Sequence, residues 1–317
     1  MRLLLILVFL FFAGTGFAKP KGKAWTDYET AKKEDPDFSI QGEYGSSKDG
    51  QGVQVVALGN GKFDAYILEG GLPGDGWDKS KKRTKISGST DGDVVKFSGK
   101  DITAEIKDSQ ITVKAGDSSY TLKRIERKSP TLGKKAPEGA IVLFDGSNVD
   151  GWQNGKLVNG LLQHGTMSKE KFQSYHLHIE FQTPYRPFAR GQGRGNSGIY
   201  HQARYETQVL DSFALEGKMN ETGGIYSIAA PKLNMCLPPL SWQTYDVDLT
   251  SAVFENGKKV KNGRITVRLN GVVVQDNIEL TKSTTASKLK EGPEPGPIYL
   301  QNHGNPVFYR NIWIIKK

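Results

Sequence analysis

Asparagine–glycine pairs between short apolar runs constrain the fold of this chain more than any other sequence feature. They occur at Asn60-Gly61, Asn159-Gly160 and Asn270-Gly271. This dipeptide favours the left-handed backbone of a two-residue hairpin turn, so each pair predicts two antiparallel strands joined tightly. The flanking runs are short and rich in Val, Ile, Thr and Tyr, as in strands, and no long amphipathic helix pattern interrupts them. The chain is therefore predicted to be all-β.

A break in the strand pattern divides the chain into two regions. Residues 128–139, KSPTLGKKAPEG, contain two prolines and two glycines and predict a linker. Residues 19–127 are predicted to form a small antiparallel β domain of unknown role, with a possible short helix at 28–33. The strand and turn spacing of residues 140–317 fits a sandwich of two antiparallel sheets. A chain of 317 residues can bury a separate core in each domain.

The first 18 residues have the pattern of a signal peptide. Arg2 precedes the apolar run Leu3–Phe12, and Gly16-Phe17-Ala18 is a small-residue cleavage site. Because that run is too short to span a bilayer, we expect cleavage, no membrane anchor afterwards, and export to the periplasm or the extracellular space. The single cysteine, Cys236, excludes an internal disulfide and is expected to be a small buried hydrophobe.

Charge gives little indication of a polyanionic partner. The net charge is +9, and acidic residues are interspersed with basic ones. The one dense basic run, Lys79–Lys85, contains none of the aromatic residues that nucleic-acid stacking would require. We therefore expect a solvated hairpin loop there and no nucleic-acid partner.

Strand parity indicates a polar face in the second domain, because successive side chains of a strand point to opposite sides. If three predicted strands are neighbours, they offer a polar floor with aromatic rings, on which sugars can bind. An ordinary solvent-facing sheet is the alternative, although this face carries no lysine. Asp211 has core parity and reaches the face only if its strand ends or bulges first. The polar sets are His176, His178, Glu180 and Gln182; Glu206 and Gln208; and Tyr299, Gln301 and His303.

The carboxylates on or beside this face allow two chemistries. Glycoside hydrolysis usually needs two carboxyl groups, about 5 Å apart for retention. A lone Glu with a His could instead act as base and acid in proton abstraction and elimination. Asp246 and Asp248 share a strand face and could hold a divalent cation, but no other metal or cofactor is predicted. The chain has no phosphate-binding glycine motif, zinc-type cysteine cluster or serine nucleophile elbow.

Short sequence pieces follow one another across residues 140–317, and in their order and spacing they resemble the 3-keto-disaccharide hydrolase family. The resemblance implies a concanavalin-like β-sandwich, or jelly roll, that acts on glycans or oxidised glycosides. The first domain is similar to β domains that accompany such modules. The pieces are LFDGSNVDGW (143–152), NSGIY (196–200), YETQVLD (205–211), GGIY (223–226), W-x-x-Y (242–245), LNG (269–271), and GPIYLQNHG followed by FYRNIWI (296–314).

The resemblance also implies that Glu206, Gln208, Asp211, Gln301 and His303 lie at or near the site, with Asn196 and Ser197 at its edge. Arg194 is expected to be free to move in the glycine-rich loop at the rim of the site. The family often has an acidic residue where Asn302 stands, so this chain could bind a glycan without turning it over. The predicted catalytic residues are Glu206, His303 and Asp211, and the predicted substrate-binding residues are Glu180, Asn196, Tyr200, Gln208, Gln301, Tyr299 and Arg194.

Three functional classes follow. The favoured one is an exported enzyme that cleaves glycosidic bonds of glycosides or 3-keto-glycosides by carboxylate and histidine acid–base chemistry, with a carbohydrate substrate. The alternative is a lectin-like module that binds glycans without catalysis, since the sandwich fold serves both. An adhesion or scaffold protein would instead expose an apolar patch around Trp77.

Overall fold

The computed structural model describes residues 22–317, so the predicted signal peptide lies outside the described residues. Helices are few and short: α1 spans Tyr28–Glu34, α2 spans Pro36–Ile40, and single 3-10 turns cover Ser47–Asp49 and Gly191–Gly193. The side chain of Asp27 caps α1 by accepting from the Thr30 amide. No helix in this range is long and apolar enough to cross a membrane.

The first domain is a closed antiparallel barrel. Its order is β1-β10-β9-β8-β7-β6-β3-β2, and β1 pairs with both β2 and β10. Closure leaves no unpaired edge strand, which protects a small sheet from edge-to-edge association. The sequence predicted the antiparallel strands but not the closure. The barrel strands are β1 Gly42–Ser46, β2 Gln51–Gly59, β3 Lys62–Glu69, β6 Arg83–Asp91, β7 Val94–Gly99, β8 Ile102–Lys107, β9 Gln110–Ala115 and β10 Ser118–Ile125. Two short strands, β4 Leu72–Pro73 and β5 Gly76–Trp77, form a separate parallel pair.

The second domain is a sandwich of two sheets around one apolar core. The larger sheet has the order β13-β14-β25-β16-β19-β22-β23, with β11 also paired to β25, and the smaller has the order β12-β15-β24-β17-β18. The strands are β11 Ile141–Phe144, β12 Trp152–Gln153, β13 Leu157–Val158, β14 Leu161–Gln163, β15 Thr166–Phe172, β16 Tyr175–Gln182, β17 Ser197–His201, β18 Tyr205–Val209, β19 Gln243–Thr250, β20 Val253–Glu255, β21 Lys258–Lys261, β22 Gly263–Leu269, β23 Val272–Leu280, β24 Gly296–Leu300 and β25 Phe308–Lys316.

The asparagine–glycine turns adopt the predicted conformation. Asn60 and Gly61 have φ of 56° and 67°, and Asn270 and Gly271 have φ of 51° and 80°. Two consecutive left-handed residues define the type I′ turn, which matches the twist of the strands it joins. The expected all-β class, with a sandwich after a small β domain, is confirmed.

Buried tyrosines of the larger sheet reach across the core and hold β17 and β18 from behind. The Tyr245 hydroxyl donates to the Gln208 carbonyl at 2.7 Å and accepts from the Gly223 amide at 2.6 Å. The Tyr309 hydroxyl lies 2.7 Å from the Ser197 hydroxyl. Such buried bonds are costly to leave unmade, so they fix the position of the smaller sheet over the larger one.

His201 makes a third connection between the sheets. Its Nδ1 lies 2.9 Å from the Tyr175 hydroxyl, and its Nε2 lies 2.9 Å from the Thr207 hydroxyl. Full burial lowers the pKa of His201 to about 3, so the ring stays neutral and serves as a core hydrogen-bonding group.

The predicted linker is docked on the outer face of the larger sheet. The Gly133 amide donates to Glu180 Oε1 at 2.6 Å, and the Thr131 hydroxyl donates to Asp246 Oδ2 at 2.9 Å. The Lys134 carbonyl accepts from the Trp313 indole at 3.2 Å. The segment therefore acts as a strap that satisfies the polar groups of this face.

Arg194 joins the two domains. Its Nε lies 2.6 Å from Asp211 Oδ2, and its other two nitrogens donate to the Ala57 carbonyl and Gln41 Oε1 of the barrel, each at 3.2 Å. Only 6% of Arg194 is exposed. The expectation of a mobile rim arginine is therefore wrong, because the barrel covers the loop that carries it.

The basic run is largely exposed, as predicted, and two of its side chains also bind the second domain. Lys79 Nζ donates to the Pro231 and Gly217 carbonyls of the sandwich at 2.8 and 3.1 Å, and Arg83 donates to the Ala214 carbonyl. The charged groups of Lys79 and Arg83 therefore bind backbone carbonyls of the second domain. Cys236 is buried, as predicted.

The substitution Arg194→Met should lower the free energy of unfolding by about 3–5 kcal/mol, because it leaves Asp211 as an unpaired buried charge. Urea denaturation followed by tryptophan fluorescence measures the change. Arg190→Met is the matched control, since Arg190 is exposed and also donates to a barrel carbonyl, that of Leu58. Its cost should stay within about 1 kcal/mol. Equal losses in the two variants would contradict the assignment of a buried pair.

Candidate functional site

A polar cavity of about 180 Å³ lies over the outer face of the smaller sheet, where β17, β18 and β24 meet. It gathers side chains from five separate segments of the chain. Tyr200 lies at its centre as the cross-strand partner of both Glu206 and Tyr299. Six of the predicted site residues line it together. The lining residues are Gln192, Asn196, Tyr200, Glu206, Gln208, Tyr226, Thr285, Ala286, Gln301 and His303.

Glu206 is the carboxylate of this cavity, and it is 3% exposed. Its Oε2 lies 2.8 Å from the Tyr200 hydroxyl, while Oε1 lies over Gly198 and has no hydrogen-bond partner within residues 22–317. Burial raises the pKa of Glu206 to about 7, against the opposing effect of the Tyr200 hydrogen bond. A carboxyl group with this pKa can give or take a proton at neutral pH.

Gly198 leaves the space that Glu206 occupies. A Cβ built on Gly198 would lie 2.1 Å from Glu206 Oε1, closer than any real contact. Gly198 pairs with Gln208 on the neighbouring strand, so the glycine lets the Glu206 side chain lie across the sheet. This requirement for close approach explains a glycine inside a strand.

Amide side chains form the floor beside Glu206. Asn196 Nδ2 and Gln208 Nε2 both donate to Gln192 Oε1, at 3.0 and 3.2 Å. Gln192 was missed from the sequence because it lies in a glycine-rich loop that has no strand parity. Tyr226 was missed although it ends the GGIY piece of the family pattern, which could have identified it.

One more predicted residue, Tyr299, borders the cavity, and His303 lies at its rim. The Tyr299 ring packs against the Tyr200 ring with centroids 5.4 Å apart, so it supports the wall. His303 is exposed at the rim, and its carbonyl accepts from Asn305 Nδ2 at 3.0 Å.

Glu180 does not belong to this site, and its predicted role is wrong. Its strand, β16, lies in the larger sheet, and the strap covers that sheet's outer face. Glu180 accepts from Arg310 Nε at 2.7 Å and from Asn311 Nδ2 at 2.9 Å. Burial alone would raise the pKa of Glu180, but its bonds to His178, Asn311, Arg310 and Gly133 lower it to about 2. The carboxylate is structural.

Asp211 is also outside the cavity. It follows β18 with core parity, and its carboxylate pairs with Arg194 beneath the barrel. The predicted catalytic role is therefore corrected: Asp211 neutralises a buried guanidinium. Arg194, predicted to bind substrate, is committed to the same pair.

The two carboxylates that could hold a divalent cation, Asp246 and Asp248, are paired with other side chains of the protein. Asp246 Oδ1 lies 2.9 Å from His178 Nδ1, and Asp248 lies 2.7 Å from Lys317 Nζ and 3.0 Å from Arg268 Nη1. In the described part of the chain, no cluster of His, Cys, Asp and Glu has metal-binding geometry. Within the described residues, Glu206 is the one carboxylate that lines the cavity. A hydrolysis mechanism that needs two carboxyl groups therefore lacks its second carboxyl group at this cavity.

The substitution Glu180→Gln should lower the free energy of unfolding by about 3 kcal/mol at pH 7 without changing binding or turnover at the cavity. The folded pKa of about 2 lies below the ordinary 4.5, so the stabilisation is complete above pH 4.5 and is lost as pH falls toward 2. Denaturation curves at pH 7 and pH 3 test this, because the difference in unfolding free energy between wild type and Glu180→Gln should be smaller at pH 3. Glu170→Gln, which breaks an exposed pair with Lys316, should cost no more than about 1 kcal/mol.

Comparison with known proteins gives a family. A family model described as the 3-keto-alpha-glucoside-1,2-lyase-like domain matches residues 139–315. A crystal structure of a candidate glycosyl hydrolase from Parabacteroides distasonis ATCC 8503 is 33% identical, with a TM-score of 0.53, over 57% of this chain and 85% of that one. A second candidate glycosyl hydrolase from the same organism is 19% identical, with a TM-score of 0.41, over 57% and 94%.

No curated protein matched the chain. The family match covers more than half of the chain and confirms the resemblance drawn from the ordered sequence pieces. It also confirms the expectation of a carbohydrate-active protein. This chain belongs to the family of 3-keto-α-glucoside-1,2-lyase-like domains.

Proposed function

We propose that this chain is an exported enzyme that cleaves the glycosidic bond of 3-keto-glycosides by acid–base chemistry on Glu206. One observation carries the proposal: a single buried carboxyl group, with its pKa raised to about 7, lines a cavity whose other polar side chains are amides, hydroxyls and the His303 imidazole. Perturbed carboxyl groups in polar cavities are typical of catalytic sites. The family description supports the substrate class, and the signal-peptide pattern supports export.

Elimination suits a single carboxylate better than direct hydrolysis. A ketone at C3 acidifies the C2–H bond, so the ionised Glu206 can take that proton through Oε1, the oxygen without a protein partner. The electrons of the C2–H bond form a C1–C2 double bond, and the C1–O bond breaks. The leaving oxygen takes a proton from His303 or from water. Addition of water across the double bond would then complete an overall hydrolysis.

The size of the cavity supports a single sugar ring as the bound group. Its volume of about 180 Å³ is below the 300–1,000 Å³ common for pockets that enclose drug-sized ligands. The second sugar would lie outside, toward His303. The amides of Gln208, Asn196 and Gln301 supply donors and acceptors for hydroxyl groups.

A lectin-like module is the alternative, because the same lining could hold a glycan without chemistry. A raised carboxyl pKa favours the enzyme, since binding a neutral sugar does not require one. The adhesion alternative loses its main support, because Trp77 is 8% exposed and packs in a core shared by the two domains.

The substitution Glu206→Gln should abolish turnover of a 3-keto disaccharide, at least about 10³-fold, because it removes the base. In wild type, kcat/KM should rise with pH through about 7 as Glu206 ionises. The variant should be at least as stable as wild type at pH 8, because ionising the buried Glu206 costs wild type stability as pH rises from 4.5 to about 7, and that cost is complete at pH 8. Measurable glycan affinity with no product from 3-keto or ordinary disaccharides would support the lectin instead.

The substitution Gly198→Ala should reduce kcat/KM about 10²-fold, because the added methyl displaces the Glu206 carboxyl group by an ångström or more. Gly193→Ala is the control: a Cβ there meets nothing within 4 Å, although Gly193 lies in the adjoining loop. Steady-state kinetics on the same 3-keto disaccharide compare the two variants. Full activity in Gly198→Ala would exclude Glu206 as the base in the position described.

A further inference from the structure

The Tyr200 hydroxyl has more acceptors than it can serve. It lies 2.8 Å from Glu206 Oε2 and 2.9 Å from the Thr285 carbonyl, and it accepts from Gln301 Nε2 at 3.3 Å. A phenol has one proton to donate. Tyr200 therefore cannot donate to Glu206 and to Thr285 at the same time.

The protonation state of Glu206 determines which of the two acceptors receives the hydrogen bond from the Tyr200 hydroxyl. An ionised carboxylate accepts a hydrogen bond about twice as strong as a neutral one, so it draws the Tyr200 proton away from the Thr285 carbonyl. A protonated Glu206 is a poor acceptor and can itself donate to Tyr200. The phenol proton is then free for Thr285, so the Thr285 carbonyl, the Tyr200 hydroxyl and Glu206 Oε2 each have a partner.

Thr285 and Ala286 are the residues of the loop 281–295, between β23 and β24, that line the cavity, and we call these two residues the loop tip. The loop is held on both sides of this tip. Before it, the Thr284 amide donates to the Arg204 carbonyl and the Thr284 hydroxyl accepts from the Glu206 amide, each at 2.9 Å. After it, Arg204 donates to the Lys290 and Glu294 carbonyls at 2.8 and 2.9 Å. At the tip, Ala286 has φ of +60°, a left-handed conformation that costs a residue with a Cβ about 1–2 kcal/mol. Such strain persists only where contacts hold it, and the Tyr200–Thr285 bond is one such contact.

Other titratable groups surround this set. Tyr226 and His303 line the same cavity, and Tyr299 packs on Tyr200 with Lys288 lying 5.3 Å from its ring centroid. Burial and the nearby Glu206 raise the pKa of Tyr200, so its hydroxyl keeps its proton while Glu206 titrates.

We propose that Tyr200 is a positioning residue that couples the protonation of Glu206 to the loop of residues 281–295. The loop tip is latched to Tyr200 when Glu206 carries a proton and released when Glu206 is ionised. The catalytic meaning of this coupling rests on the proposed function. Substrate would enter past a released tip, and the proton taken from the sugar would latch the tip over the intermediate.

Amide hydrogen exchange in the absence of substrate tests the coupling. The Ser287 and Lys288 amides, which bond to the Thr284 and Ala203 carbonyls, report on the loop. In wild type, their protection, corrected for intrinsic exchange, should fall about 10-fold between pH 5.5 and pH 8.5, the effect of one lost hydrogen bond. In Glu206→Gln the side-chain amide donates to Tyr200 at both pH values, so protection should stay high. In Tyr200→Phe it should stay low.

Tyr226→Phe is the matched control, because Tyr226 lines the same cavity and its hydroxyl has no hydrogen-bond partner in the chain from residue 22 onward. This variant should keep the wild-type response. Wild-type protection that ignores pH, or a Glu206→Gln variant that responds as wild type does, would overturn the coupling.

A second measurement distinguishes a positioning role of Tyr200 toward Glu206 from a purely structural role of Tyr200. In Tyr200→Phe the ionised Glu206 loses a hydrogen bond, so the midpoint of kcat/KM against pH should move upward by about one unit. An unmoved midpoint would overturn the proposal. If exchange shows the latch but no glycoside is turned over, the coupling stands and the proposed function fails. If glycoside is turned over but the latch does not respond to pH, the proposed function stands and the coupling fails.

Discussion

The buried pair of Arg194 and Asp211 ties the site to the rest of the protein. Asp211 follows the strand that carries Glu206, and Arg194 precedes the strand that carries Tyr200. The two residues are also joined through the backbone, since the Asp211 amide donates to the Arg194 carbonyl at 3.1 Å. The first domain supplies two more acceptors to the same guanidinium. The Arg194 charge therefore holds the two ends of the β17–β18 hairpin together and also binds the first domain to it.

This arrangement gives the first domain a role. The barrel does not line the Glu206 cavity, yet it covers the charged end of the hairpin whose other residues form that cavity. A charge pair survives burial only when its remaining donors are satisfied, and the Ala57 carbonyl and Gln41 do this for Arg194. The barrel is therefore a structural support for the site.

Strand parity and the order of family pieces predicted much of the fold and about half of the site. Parity placed Glu206 and Gln208 on one side of β18 and Gln301 and His303 on the polar side of a later predicted strand, and the family pieces supported all four. Parity failed for Glu180 because it assigns a face and not a sheet: only long-range pairing puts β16 beside β19 and β25. Arg194 failed because a glycine-rich loop predicts mobility, whereas burial by a distant domain cannot be read locally. Thr285 lies in a polar loop with no periodicity, so nothing in the sequence placed it over Tyr200.

The strap has a consequence for the independence of the sandwich. Residues 129–134 supply the hydroxyl, amide and carbonyl partners of a polar layer that includes Glu180 and Asp246. A sandwich cut free at residue 140, where the sequence pattern resumes, would lose these partners and leave that layer open to water. The folding unit of the second domain therefore begins about ten residues before its first strand. The two domains are joined by a shared surface and not by a tether.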